Sequence, residues 1–344
     1  MSEQEKRTEL SDLGEFGLID RIRKAVNLQQ KSSVLGIGDD AAVIDPQGKQ
    51  LVLSTDMLME GIHFDLSYMP LRHLGFKAVA VNVSDIAAMN AIPQQITVNI
   101  GLSNRFSLQA IEELYEGIYA ACEAYKVDLV GGDTTSSHSG LAISITATGL
   151  AEPSQLVKRS TAKINEVICV TGDLGGAYIG LQVLAREKQV YLANPEMQPE
   201  LKGNAYIVGR QLKPEARMDV IHELAEKGIK PTSMIDVSDG LASELMHICT
   251  QSKVGARIYE ANLPIDKETY DTAVLMNLDP VTCALNGGED YELLFTLSKE
   301  DFEKVKNHPD ISSIGYTTAA DNGLTLVTKH ENEVKIQAQG WKHF

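Results

Sequence analysis

The sequence predicts an α+β fold in two halves. Apolar segments of strand period and of helix period follow one another without the strict strand–helix–strand rhythm of a doubly wound sheet. After the polar stretch AEPSQLVKRSTAKINE the pattern starts again. The length of 344 residues, 43% of them hydrophobic, is enough for two cores of ordinary domain size. The expected division is 1–152 and 153–344, with the boundary near Pro153.

In the first half, residues 15–26 carry helical periodicity and residues 50–55 read as a strand. Residues 73–91 read as a long, mostly apolar helix, 94–102 as a strand, 108–125 as an amphipathic helix and 141–150 as an alternating strand. In the second half, VICVTGDLGGAYIGLQVLA reads as strand, glycine loop and helix, and SMIDVSDGLASELMHIC as strand, turn and helix. DYELLFTL is a further strand, followed by a helix over 299–307 and short terminal strands.

Lys and Arg number 31 against 47 Asp and Glu, a net charge of -16, which argues against nucleic acid or an anionic membrane as partner. An anionic ligand would have to bring cations with it. Cys122, Cys169, Cys249 and Cys283 are widely spaced in apolar settings, with no CxxC, and read as inert core thiols. The polar N-terminus MSEQEKRTEL lacks the apolar centre of a signal peptide, and no apolar run approaches the ~20 residues of a membrane span. The expectation is a cytoplasmic protein.

Six segments set carboxylates beside Gly, Ser or Thr: GIGDD (Asp39, Asp40), STDML (Asp56), NVSDIAAM (Asp85), GGDTT (Asp133), MIDVSDG (Asp236, Asp239) and GGEDYEL (Glu289, Asp290). Singly, each fits an ordinary turn or helix cap. Asp85 differs: both its flanks are apolar, and a carboxylate on a buried helix face needs a partner. Asp236 and Ser238 are two apart on a strand and share a face. The adjacent Asp39 and Asp40 point oppositely if extended, and the residues alone leave open which of them is a ligand.

If these segments converge, their charges repel by about 4 kcal/mol per pair at 4 Å and an effective dielectric of 20. Hard cations, Mg²⁺ or Ca²⁺, would relieve this, and Mg²⁺ commonly shares its shell with substrate phosphates. So a glycine-rich loop without lysine can still face a phosphate compound. No Walker A, EF-hand or protein-kinase signature is present.

The ordered set GIGDDAAV, STDMLMEGIHF, KAVAVNVSDIAAM, GGDTT, VTGDLGGA, IDVSDGLASEL and GGEDYELLF resembles the thiamine-monophosphate kinase family, over nearly the whole chain. Its superfamily includes aminoimidazole ribonucleotide synthetase, selenophosphate synthetase and a hydrogenase-maturation protein. The resemblance implies a two-domain aminoimidazole ribonucleotide synthetase-like α+β fold, with mixed sheets packed with helices in each half. It implies transfer of the ATP γ-phosphoryl group to thiamine phosphate with several Mg²⁺ ions, and a homodimer joined by the N-terminal domains. The matching metal positions are Asp40, Ser54, Thr55, Asp56, Asp85, Asp133, Asp236 and Asp239. Gly132, Asp133, Arg159 and Ser238 match ATP contacts; His63, Glu289 and the terminal aromatic Trp341 match thiamine phosphate contacts. The N-terminal domain would then hold Mg-ATP and the dimer contact, and the C-terminal domain would complete the site.

The residue inventory agrees with such chemistry. A phosphate acceptor is already ionised at neutral pH, so no general base is required and no catalytic side chain is singled out. Direct in-line transfer without a phosphoenzyme is the expectation. A selenophosphate synthetase would be expected to carry a reactive Cys in a glycine-rich N-terminal segment, whereas none precedes Cys122. A hydrogenase-maturation member would end in a cysteine tail, whereas this chain ends in GWKHF. A plain acidic metal binder would leave the glycine placement and Arg159 unexplained.

Overall fold

The computed structural model of the chain describes residues 21–35 and 43–337. The chain divides into two compact units. One is built from residues up to Ile86 and from Ala91–Pro153; the other takes Ala87–Asn90 and the chain from Ser154 onward.

In the first unit a helical stretch at 21–25 precedes a short antiparallel pair, β1 (Ser33–Leu35) and β2 (Val43–Ile44). Then come β3 (Gln50–Met59), α1 (Leu71–Ala88), β4 (Ile92–Leu102), α2 (Leu108–Tyr125), β5 (Asp128–Ser136) and β6 (Leu141–Ala151). A four-stranded sheet has the order β3-β6-β4-β5. β3 and β4 both pair antiparallel with β6, and β4 pairs parallel with β5 through the α2 crossover. Buried Leu108, Ile111, Leu114, Ile118 and Cys122 give α2 its helical stripe. Ser107 caps it, accepting from the Ala110 amide at 3.3 Å, and Lys126 ends it in the left-handed region at φ 56°.

Helices α1 and α2 meet backbone to backbone. A Cβ on Gly75 would lie 2.0 Å from the Leu114 carbonyl oxygen, and one on Gly117 would lie 1.9 Å from that of Arg72. Only glycine fits at either position.

The second unit contains a seven-stranded sheet of order β13-β12-β9-β11-β7-β10-β8. Its elements in chain order are β7 (Val167–Thr171), α3 (Gly176–Ala193), α4 (Ala205–Leu212), α5 (Met218–Glu226), β8 (Ser233–Asp236) and α6 (Leu241–Ser252). After these come β9 (Val254–Tyr259), α7 (Lys267–Leu275), α8 (Pro280–Asn286), β10 (Leu293–Leu297), α9 (Lys299–Val305), β11 (Ile311–Ala319), β12 (Leu324–Val327) and β13 (Glu333–Lys335). The described pairings are antiparallel except β9 with β12. Ile168, Val170, Ile235, Val237, Leu241, Leu245 and Ile248 form the centre of the core. All four cysteines are buried free thiols. Burial pushes Cys122, Cys169 and Cys249 up to about 12 and Cys283 up to about 11, so none is a thiolate at neutral pH. Among the described residues, no helix is long and apolar enough to cross a membrane.

The mixed α+β architecture agrees with the sequence expectation. Several boundaries moved. β3 runs on through STDML to Met59, and the GGDTT segment, read as an acidic loop, is part of β5. The strand expected from Asp290 begins only at Leu293, because Glu289 and Tyr291 stand in the left-handed region at φ 58° and 53°.

Candidate active site

The first unit gathers Ser54, Asp56, Asn82 and Asp85. Ser54 and Asp56 are two apart on β3 and so face one side, toward α1. The Ser54 hydroxyl donates to Asp85 Oδ2. The Asp56 amide donates to Asn82 Oδ1 at 3.1 Å, and Asn82 Nδ2 donates back to the Ala78 carbonyl at 3.0 Å. Asn82 is 1% exposed, so this amide locks strand to helix from inside. Burial, and then the Asp85 charge, push the Asp56 carboxyl up to about 6. Asp85 thus has the partner that its apolar flanks require, and a second carboxylate beside it.

Thr55 faces the other side. Its hydroxyl donates to the Ile145 carbonyl at 3.0 Å and accepts from Thr146 Oγ1 at 3.1 Å.

Gly132 and Asp133 lie on β5, at the opposite edge of the sheet from β3. Asp56, Ile145, Val98 and Gly132 occupy one rung across the four strands. Three strand spacings therefore separate Asp56 from Gly132, about 14 Å. Beside Gly132 is an open, shallow cleft lined by Ile22, Val98, Tyr115, Leu129 and the 131–134 segment. Tyr115 supplies an aromatic wall from α2. It was not picked out from the sequence, where it is one more apolar position of an amphipathic helix.

His63 follows β3. Its Nδ1 accepts from the Met59 amide at 2.9 Å, so the neutral ring carries its proton on Nε2. Nearby, Glu60 Oε2 accepts from the Leu141 amide at 2.9 Å and from Arg105, which ties this turn to β6.

In the second unit Asp236 ends β8, and Ser238 and Asp239 form the turn into α6. Asp236 is 3% exposed. Glu244, also 3% exposed, accepts from the Asp239 amide at 3.2 Å. Burial and the charges of Asp236 and Asp239 push Glu244 up to about 8, while Arg159 pulls it down. Arg159 is tied to this part of the unit through its main chain. Its carbonyl accepts from Ser233 Oγ at 2.9 Å and from Ser252 Oγ at 2.8 Å, fixing the segment to β8 and α6. Glu244 was missed from sequence; its signal was a Glu one turn into a helix behind an Asp-Gly turn.

Glu289 joins the same turn: its amide donates to the Ser238 carbonyl at 2.7 Å. Behind it lies a buried ionic network that the sequence reading did not foresee. Asp290 accepts from the Gly175 amide at 2.8 Å and the Ala177 amide at 3.3 Å, at the start of α3. Glu292 is held by Arg210 at 2.9 Å, by Arg217 at 2.8 Å and by the Thr171 hydroxyl at 2.5 Å. Asp39, Asp40 and Trp341 lie outside the described residues.

Among the described residues no three His, Cys, Asp or Glu side chains converge on one metal position. The donors instead stand two by two: Asp56 beside Asp85 in one unit, and Glu244 beside Asp236 and beside Asp239 in the other. All are hard oxygens. Asp56 and Glu244 are pushed upward first by burial and then by neighbouring negative charge. This set fits Mg²⁺, which takes few protein ligands and completes its shell with water and phosphate.

Two family profiles match the chain. One, described as AIR synthase related protein, N-terminal domain, covers residues 38–151, and its C-terminal counterpart covers 163–326. The two halves therefore define an AIR synthase related protein. Full-length relatives narrow this. The thiamine-monophosphate kinase of Bacillus subtilis (strain 168) is 34% identical over 96% of this chain and 100% of its own. That of Aquifex aeolicus (strain VF5) is 35% identical over 97% and 99%. A solved structure described as AaThiL complexed with AMPPCP and TMP is 32% identical, covers 100% of both chains and gives a TM-score of 0.76. The chain belongs to the thiamine-monophosphate kinase family. The hydrogenase maturation protein HypE in complex with ATP, 18% identical with a TM-score of 0.73, shares the fold.

Proposed function

We propose that the protein transfers the γ-phosphoryl group of ATP to thiamine phosphate, giving thiamine diphosphate and ADP. The observation that carries this reading is the close placing of partly buried or buried carboxylates in each unit, in a chain that matches thiamine-monophosphate kinases over nearly its whole length. The likeness to the AMPPCP and TMP complex supports both substrates.

Mg²⁺, when bound, would neutralise charge on the phosphates. Asp56, Asp85 and Ser54, together with Asp40, are the ligands of the first unit in this reading. Asp133 serves from β5, and Asp236 and Asp239 from the second unit. The Thr55 hydroxyl faces away from Asp56 and Asp85, so Thr55 can serve the same ion only through its main-chain oxygen. The cleft at Gly132 and Tyr115 suits the flat, apolar face of adenine. Arg159 and Ser238 face the triphosphate. In this reading His63 offers an Nε2–H donor to the phosphate of thiamine phosphate, Glu289 contacts the thiamine moiety, and Trp341 is assigned to its cationic ring. Because the attacking phosphate oxygen is already ionised, these residues bind, align and exclude water, and none has to remove a proton.

A homodimer through the first unit is part of this reading. On the outer face of β3, Leu51, Leu53, Met57 and Met59 are all exposed, Leu53 by 62%. Such a stripe on an edge strand calls for a cover. A second copy there also answers the sheet order. Asp85 and Asp133 of one chain flank opposite edges, too far apart to share an ion with oxygen distances of about 2.1 Å. The paired variant Leu53→Asp/Met57→Asp is expected to run as a monomer in light scattering and to lose most turnover. A dimer of unchanged mass would contradict this interface.

The function itself is checked by following ADP release with thiamine phosphate or thiamine as acceptor, while Mg²⁺ is titrated against a chelator. Turnover is expected with thiamine phosphate alone and only with Mg²⁺. Metal-independent turnover, or an equal rate with thiamine, would overturn the reading.

A further inference from the structure

Gln211 sits at the end of α4, 3% exposed, and its Nε2 donates to Glu289 Oε2 at 2.7 Å. An amide pointed at a carboxylate from inside the protein orients it. The rest of the surroundings fix both partners. Glu289 stands in the left-handed region at φ 58°, between Gly288 at 72° and Tyr291 at 53°, a strained run for two non-glycine residues. Its amide is tied to the Ser238 carbonyl, and the Tyr291 amide donates to the Val237 carbonyl at 2.9 Å. The backbone of Glu289 is thus set by the 237–238 segment, which leaves its side chain to be set from elsewhere.

Gln211 is held as firmly. Its neighbour Arg210 donates to the Asp173 carbonyl at 3.0 Å, the Asp290 carbonyl at 3.4 Å and Glu292 Oε1 at 2.9 Å. α4 also lies directly on α3: a Cβ on Gly180 would come within 2.0 Å of the Ile207 carbonyl oxygen and 3.2 Å of the Gln211 Cβ. The stem of Gln211 is therefore wedged between two helices, with its amide aimed at Glu289.

We propose that Gln211 is a positioning residue that presents the Glu289 carboxylate to the cationic, amine-bearing end of thiamine phosphate. The proposal rests on the reading that Glu289 contacts that substrate. Gln211 itself touches no reacting group. It withdraws one carboxylate oxygen from rotation and leaves the other directed at the ligand, so its removal weakens substrate binding rather than the chemical step.

The test is a double-mutant cycle on the full-length enzyme. Gln211→Met keeps the length and removes the donor, Glu289→Gln removes the charge, and a third protein carries both. Gln211→Glu, which repels Glu289, is made alongside. Gln211→Met is expected to raise KM for thiamine phosphate about tenfold. Its kcat, its KM for ATP and its melting temperature should stay near wild type. Gln211→Glu is expected to raise the same KM further. In the Glu289→Gln background, Gln211→Met is expected to add less than about twofold. If Glu289→Gln raises this KM and Gln211→Met does not, or if the two effects multiply, Gln211 positions nothing while the Glu289 reading stands. If Glu289→Gln leaves the KM unchanged, that reading fails and the proposal fails with it. Equal rises in both KM values with a lowered melting temperature would make Gln211 a structural residue and overturn the proposal.

Discussion

Asp56→Asn is expected to lower turnover by about 10²- to 10³-fold and, in metal-free protein, to raise the melting temperature at pH 8. Both effects follow from its placing beside Asp85. With its carboxyl pushed up to about 6 from an ordinary value of 3.8, the folded protein holds the Asp56 proton more tightly than the unfolded chain does. The stability from a neutral Asp56 is fully present below pH 4 and is lost as pH rises through 6. Above that, two like charges stand together until a cation arrives. Removing one of them should flatten the fall in melting temperature between about pH 4 and 6 in the presence of a chelator. The variant should also respond less to added Mg²⁺. Melting curves across this range, with and without Mg²⁺, check it. A variant that melts below wild type at pH 8 without metal would show that Asp56 stabilises the fold rather than straining it.

Arg210→Met is expected to cost the second unit about 3–5 kcal/mol. Its side chain is 16% exposed and bridges Glu292, whose side chain is 2% exposed, and the fully buried Asp290. Removing the cation leaves Asp290 with the α3 amides and Glu292 with Arg217 and Thr171. Deleting one member of a buried ionic group is far costlier than replacing the whole group. At 2–4 °C per kcal/mol for a unit of this size, the melting temperature should fall by roughly 6–20 °C. Lys267→Met is the control. Its partner Asp271 and Lys267 itself are 53% and 87% exposed, so water screens the pair and its loss should leave the melting temperature almost unchanged. Comparable losses in calorimetry for the two variants would contradict the account of the network.

What the sequence disclosed follows from which forces are local. The α2 helix was legible from residue 108 to 125 because its apolar stripe repeats at helical spacing behind the Ser107 cap. The strand read at 141–150, which runs one residue further to Ala151, was legible because apolar and polar residues alternate along LAISITATGL. Neither α4 nor α5 was read. AYIVGRQL is eight residues long with a glycine inside, too short for a periodic signal. α8 could have been found: Asp279 accepts from the Thr282 amide, and Pro280 follows at the first helical position. GGDTT looked like a loop because two glycines and an aspartate are poor strand formers. Its pairing with β4 is a tertiary fact that overrides propensity.

The candidate site divided in the same way. Asp56, Asp85, Asp236, Asp239 and Glu289 announced themselves as carboxylates in unusual company. Asn82, Tyr115, Glu244 and Gln211 did not, because each is an ordinary helix residue until the fold gives it a neighbour. The sheet order that sets Asp56 and Gly132 at opposite edges is likewise invisible in one dimension, and it bears directly on the proposed dimer.

The most direct measurement is a phosphorus NMR time course of the purified protein with ATP, thiamine phosphate and Mg²⁺. Expected is the stoichiometric appearance of the two coupled resonances of thiamine diphosphate as the ATP γ signal disappears, with one ADP for each thiamine diphosphate. ADP accompanied by inorganic phosphate, with the thiamine phosphate resonance unchanged, would contradict the assignment of thiamine phosphate as the acceptor.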